Sequence, residues 1–290
     1  MPANIPLPSE IADPIMLADW LEILALSVDD GNASHGDLQR ALNRLGVDGF
    51  DSICTASMRE LHRRVAASES NYPFTFTGTL LSRKDDWRKY LPYVFCLFLS
   101  YCDEKKKRVR GANHVLMFEQ LSCLAARGYL GGKVLRFGFP RKELPAGFLD
   151  AIRDLCGAVK EWTPITGKTL KRKDGGLDLV AWKPFPDQQI GKLVLFGHCA
   201  SGTDWDAKIN ELQPNDFCSR YLGGDKSPIV KTFFIPHRLD PERFADRAVS
   251  AKLFFDRCRI ARFVSSHEFA LATQNASLTW CETVFRRLTA

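Results

Sequence analysis

The stretch that most constrains what this chain can fold into is GGLDLVAWKPFPDQQIGKLVLFGHCASGTDWDAK, residues 175–208. Within it, LDLVAW (177–182) and KLVLFG (192–197) are short apolar runs of strand-forming residues. They are separated by KPFPDQQIG, whose two prolines and glycine are turn residues, so the pair predicts a hairpin of buried strands. Asp178 lies in the first run and His198 closes the second. An ionised carboxylate in a buried strand is costly unless a cation or hydrogen-bond donors meet it, and that cost marks a candidate site. With a period of two, Asp178, Val180 and Trp182 point one way and Leu177, Leu179 and Ala181 the other. The following TDWDAKINEL (203–212) has helical spacing, which would let Lys208 reach back toward the strand ends.

At 290 residues the chain can bury a large core and exceeds the usual length of one domain, so two domains are expected. An apolar fraction of 45% and an aromatic fraction of 11% are those of a folded protein and argue against disorder. The nine cysteines are scattered, without CxxC pairs or zinc spacing, and read as reduced thiols of a cytoplasmic protein. MPANIPLPSE lacks the basic and apolar regions of a signal peptide, and no apolar run approaches the roughly 20 residues of a membrane span, so no membrane partner is expected. The net charge of +6 is modest but unevenly placed. KKKRVR (Lys105, Lys106, Lys107, Arg108, Arg110) and KTLKRK (Lys168, Lys171, Arg172, Lys173) concentrate positive charge that can track a phosphate backbone, although a single such run is more often a solvated loop.

The first hundred residues are predicted to be mainly helical. Pro14 suits a helix start, Ser34 or Asp37 can cap a second helix ending at Gly46, and a third runs from about Asp51 along Met58, Leu61 and Val65. NYPFTFTGTLL (71–81) alternates with strand period, and WRKYLPYVFCLFLSYC (87–102) reads as a buried helix. Charge, a glycine and a capping Asn coincide in KKKRVRGAN, which sets expected domains of 1–110, mainly helical, and 111–290. Beyond that boundary come a helix from about Asn113 to Arg127 ended by Gly128, with Glu119 on its apolar face; a strand in KVLRFGF; a helix in ELPAGFLDAIRDLCGAVKEW; and the hairpin. IVKTFFIPH follows as a strand, then PERFADRAVSA as a helix, KLFFD as a strand and SLTWCETVFRRL as a closing helix. Helix, strand, strand, strand, helix, strand is an α/β sandwich pattern. Glu161 reads as a surface residue at a helix end, and Asp256 with Arg257 and Arg259 as a surface or helix-cap ion pair.

A helix bearing Phe118-Glu119, a strand approached through Gly175-Gly176 and carrying Asp178, and a second strand ending in a short polar motif together resemble the PD-(D/E)xK, or restriction-endonuclease-like, nuclease superfamily. FGHCASGTDWDAK is similar to the GQCA-type third strand and following helix of some bacterial defence-island nucleases of that fold. The resemblance spans roughly residues 113–237. It implies a restriction-endonuclease-like αβββαβ core behind a helical N-terminal domain, and a metal-dependent endonuclease in a bacterial anti-phage or restriction system. Its partners would be nucleic acid, with DNA favoured, and a protein of the same defence system.

Phosphodiester hydrolysis needs an activated water and positive charge near the developing oxyanion, and Mg²⁺ favours carboxylate and water oxygens. The resemblance implies that Asp178 is the central ligand of Mg²⁺ or Mn²⁺, Glu119 its helix partner, and His198 the occupant of a position usually Glu or Gln. His198 is more natural for Mn²⁺ than for Mg²⁺. Ala200 stands where the family has its lysine, so Lys208, or Lys183 just after the first strand, is expected to supply the charge. Two other readings stay open: a catalytically inactive nucleic-acid-binding or scaffold subunit, and a hydrolase using Cys199 and His198. The second is disfavoured because adjacent strand residues face opposite sides.

Overall fold

A computed structural model describes residues 5–46, 49–165, 175–224 and 227–290. Its helices are α1 (Pro14–Ser27), α2 (His35–Asn43), α3 (Asp51–Ser68), α4 (Leu91–Tyr101), α5 (Glu104–Lys107), α6 (His114–Leu130), α7 (Phe148–Val159), α8 (Trp205–Lys208), α9 (Pro214–Tyr221), α10 (Pro241–Ala251), α11 (Arg257–Arg262), α12 (Ser266–Ala272) and α13 (Ala276–Thr289). The strands are β1 (Asn32–Ser34), β2 (Phe74–Phe76), β3 (Leu80–Arg83), β4 (Lys133–Arg136), β5 (Thr163–Pro164), β6 (Leu179–Trp182), β7 (Val194–Cys199), β8 (Leu222–Gly223), β9 (Ile229–Phe234) and β10 (Leu253–Phe255). The chain is mixed α/β. It divides into two compact units, one of residues 1–114, 236–241 and 256–290, the other of 115–235 and 242–255. Residues 256–290, assigned from sequence to the second domain, therefore belong to the first unit.

The first unit is helical apart from a three-stranded sheet of order β1-β3-β2. Asp13 accepts the amide of Ile15 and Pro14 occupies the first turn, so α1 starts where the sequence predicts. Ser34 and Asp37 form a reciprocal capping box on α2. α4 buries every residue from Leu91 to Leu99, which explains a run with no polar face.

An ion network lies beneath these helices. Arg64 pairs with Asp19 at 2.6 Å and with Glu22 and Glu60 at 2.9 Å. Arg257 reaches Asp19 at 2.8 Å, Arg238 joins Glu60 to Asp256, and the hydroxyls of Tyr72 and Tyr93 donate to Glu22. Buried charges persist only when paired in this way. Arg257 and Asp256 are thus fully buried members of a network that draws 236–241 and 256–290 into this unit; Asp256 does cap α11, accepting the Arg259 amide at 3.0 Å, but the grouping is buried and not on the surface.

The second unit is built on a five-stranded sheet of order β10-β9-β7-β6-β4. β4, β6 and β7 are antiparallel neighbours, while β7, β9 and β10 run parallel. The predicted hairpin is β6 and β7, in a register that sets Leu179 opposite Gly197 and Val180 opposite Phe196. One face is covered by α7 and α9, where Val180, Trp182 and Phe196 pack with Phe148, Phe217 and Tyr221. Gly197 keeps no side chain because a Cβ there would sit 2.6 Å from Leu179.

Three local expectations change. α6 runs past Gly128 to Leu130 and ends at Gly131, whose φ of +62° is the left-handed conformation that closes helices. Residues 203–212 hold only the single turn α8, followed by tight turns in which Ile209 and Glu211 bond back three residues. Trp205, Ile209 and Leu212 are all buried, so tight turns satisfy the same apolar spacing as a helix. The third change concerns Asp178 itself.

Candidate active site

Leu177, and not Asp178, joins Val180 and Trp182 in the core beneath α7 and α9. The strict alternation expected for 177–182 therefore breaks before β6 begins at Leu179. Its cause is on this strand itself: the Asp178 amide donates to the Gly197 carbonyl at 2.9 Å although Gly197 already faces Leu179 in the register, so residues 178 and 179 share one partner. The amides of Phe137 and Gly138, just past the end of β4, both donate to the carbonyl of Asp178, at 2.7 and 2.9 Å. Two residues facing one is a β-bulge, which bends a strand end and re-aims side chains. On the approach side, Gly175 and Gly176 have φ of +69° and +83°, a turn that only glycine makes without strain.

The bulge brings the two predicted carboxylates together. A Cβ at Gly138 would lie 2.6 Å from Oε2 of Glu119 and 3.3 Å from Oδ1 of Asp178, so both oxygens border the space that this glycine leaves open. Oδ2 of Asp178 is held from the other side. It accepts the amide of Cys199 at 2.7 Å and lies 2.9 Å from Nδ1 of His198. The other ring nitrogen of His198 is 3.3 Å from Glu211 Oε2. His198 thus stands between two carboxylates, within ion-pair distance of Oδ2 of Asp178, whose Oδ1 lies toward Gly138.

Glu119 is also held. Nη1 of Arg136 lies 2.6 Å from Oε2 and donates to the carbonyl of Gly138 at 2.9 Å, while Nη2 donates to Pro140. Sequence reasoning missed Arg136, although a charged residue in the apolar strand KVLRFGF carries the same signal as Asp178: it must find a partner. Glu211 was missed too, since nothing local ties it to a histidine in the preceding strand.

The remaining candidates have other partners. Lys183 follows β6 at the end opposite Asp178, five residues on, or roughly 16 Å at about 3.3 Å per residue. Its ammonium lies by Gly131. Lys208 pairs with Asp204 at 3.0 Å, one helical turn back on the surface. Cys199 is no activated nucleophile: desolvation, with the charges of Asp178 and Glu119 behind it, pushes the thiol well above its ordinary range.

Of the first basic run, Lys105, Arg108 and Arg110 are exposed and Lys106 is half-buried, all in the first unit. Lys107 is buried and paired with Glu104 at 2.7 Å, so it is not a free surface charge. Lys168, Lys171, Arg172 and Lys173 lie outside the described residues.

The donor set suits a hard divalent ion. Two carboxylate oxygens face one opening, and Mg²⁺ is commonly held by one or two carboxylates, with water or phosphate oxygens completing its shell. Among the described residues no group of three or more His, Cys, Asp or Glu side chains is placed to hold a metal by itself. Among the described residues, too, no helix is long and apolar enough to cross a membrane. The chain matches no protein-family model, no curated protein and no solved structure.

Proposed function

We propose that the second unit is a metal-dependent nuclease of the restriction-endonuclease-like type, hydrolysing phosphodiester bonds of nucleic acid, with DNA favoured, in a bacterial anti-phage or restriction system. The observation that carries this reading is the meeting of Glu119 and Asp178 around Gly138 at a bulged sheet end. The element order supports it. α6 precedes the antiparallel strands β4, β6 and β7, and β9 then lies parallel to β7 after α8 and α9, the sequence of an αβββαβ core with α7 inserted.

In this reading Glu119 and Asp178 are the residues that would hold the ion. A divalent ion held there would supply an activated water and a Lewis acid for the phosphoryl oxygen. The chain's own residues fix the carboxylates. The Cys199 amide holds Oδ2 of Asp178, the kind of support that orients a metal ligand, and the His198 ring lies beside the same oxygen. Arg136 fixes Glu119 and supplies positive charge on this side of the site, where Ala200 offers none.

A second reading, a nucleic-acid-binding subunit without cleavage, draws on the same Arg136–Glu119 pair, because a guanidinium seated on that carboxylate competes with a metal for it. Incubating the purified chain with Mg²⁺ or Mn²⁺ and plasmid, linear duplex or single-stranded RNA separates the two. The nuclease reading expects metal-dependent cleavage that a chelator and Asp178→Asn both abolish. Binding without cleavage of any of these substrates selects the second reading. Cleavage undiminished in folded Asp178→Asn overturns the assignment of the site.

A further inference from the structure

A groove of about 880 Å³ opens in the second unit between the start of β9, the first turn of α9 and the end of α10, with Lys231 and Lys252 among its walls. Lys231 is 6% exposed, yet its ammonium has no hydrogen-bond or ion-pair partner among the described residues. Most of the side chain is covered while the ammonium stays open to the groove, where it can meet a ligand. Lys252, just past α10, adds a second ammonium from a backbone with φ of +65°, a conformation that glycine would adopt more cheaply. Desolvation and then the field of Lys252 lower the pKa of Lys231, as expected of two like charges facing one space.

The α9 end of the groove adds donors. Gln213 gives no side-chain cap to this helix and Pro214 has no amide proton, so the amides of Asn215 and Asp216 have no acceptor among the described residues. Unsatisfied first-turn amides beside two cations are an arrangement that takes an anion. Asp216 also lines the groove and Asn210 and Gln213 add amide side chains, so the walls mix one carboxylate with neutral hydrogen-bonding groups.

We propose that this groove binds a phosphate group, held by Lys231, Lys252 and the first-turn amides of α9, and carried either by a nucleic-acid strand or by a small phosphorylated ligand. Neither Glu119 nor Asp178 lines it, so the inference stands apart from the nuclease reading. An anion there would offset the partial desolvation of Lys231 and its repulsion from Lys252.

The test uses the full chain. Inorganic phosphate and a short oligo-dT are titrated calorimetrically against a background of chloride at equal ionic strength, with Lys231→Met, Lys252→Met and, as control, Lys183→Met. Loss of one charge-assisted contact should weaken binding roughly tenfold or more in each of the first two variants and leave the control unchanged. Weakening for oligo-dT identifies a strand as the source of the phosphate, and weakening for inorganic phosphate alone identifies a small ligand. Lys252 is exposed and its variant should fold whatever happens at Lys231. The proposal is overturned if neither probe binds, or if Lys252→Met binds both as the wild type does.

Discussion

Gly138→Ala separates the site from the fold with a single methyl group. The backbone at 138 lies outside the left-handed region, so alanine is sterically acceptable to the main chain. The added Cβ would meet Oε2 of Glu119 at 2.6 Å and Cδ at 3.1 Å, and ordinary contact begins at 3.4 Å, so the carboxylate must retreat by about 0.8 Å. It would also press on Oδ1 of Asp178 at 3.3 Å. Misplacing a reacting group by on the order of 1 Å costs roughly 100-fold in rate, whereas overpacking of this size costs about 1–3 kcal/mol of stability. The expected variant is therefore folded and about two orders of magnitude slower in Mn²⁺-dependent cleavage, with Tm lowered by several degrees. Gly132→Ala is the contrast. Its Cβ would lie 2.2 Å from the Trp182 carbonyl oxygen, a backbone atom that cannot step aside, so that variant should lose the fold. A Gly138→Ala protein cleaving at the wild-type rate would refute the claim that the working space lies between these carboxylates.

Acid sensitivity of the first unit should be set in part by Glu60. Burial works to raise its pKa, but Arg64 and Arg238 together outweigh burial and hold it at about 2. Against an ordinary value of 4.5 this corresponds to about 3 kcal/mol of stability, fully present above pH 4.5 and lost as pH falls from there through 2. In urea unfolding, Glu60→Gln should be less stable at pH 7 and nearly level with the wild type near pH 2, and curves that run parallel across this window would contradict the assignment. Lys208→Ala should leave cleavage unchanged and stability within about 0.5 kcal/mol, the scale of an exposed pair. A large fall in its cleavage rate would return Lys208 to the site.

The hairpin was legible because β6 and β7 bury both faces and are joined by Pro and Gly, all of it written in adjacent residues. The α1 start and the α2 capping box were legible for the same reason: their hydrogen bonds span two or three positions. The face of Asp178 was not, since it depends on how Asp178 and Leu179 both pair with Gly197 and on the Phe137 and Gly138 amides of another strand. Glu161, taken for a surface residue, is buried against Lys192 at 2.7 Å and accepts the amides of Gly191 and Lys192. Its partners lie about thirty positions away, beyond any periodicity. Assignment of residues 256–290 to the first unit rests on equally distant pairings, chiefly Arg257 with Asp19. Helical spacing in α11 to α13 states that a face must be covered but not which core covers it.

The central claim is that Glu119 and Asp178 hold a divalent ion at Gly138, and calorimetric titration of Mn²⁺ into the wild type, Asp178→Asn and Glu119→Gln tests it without requiring a substrate. The account predicts one site in the wild type, with affinity reduced at least roughly tenfold by each substitution, the cost of one lost ligand or support. Mn²⁺ binding of undiminished affinity in folded Asp178→Asn would contradict it.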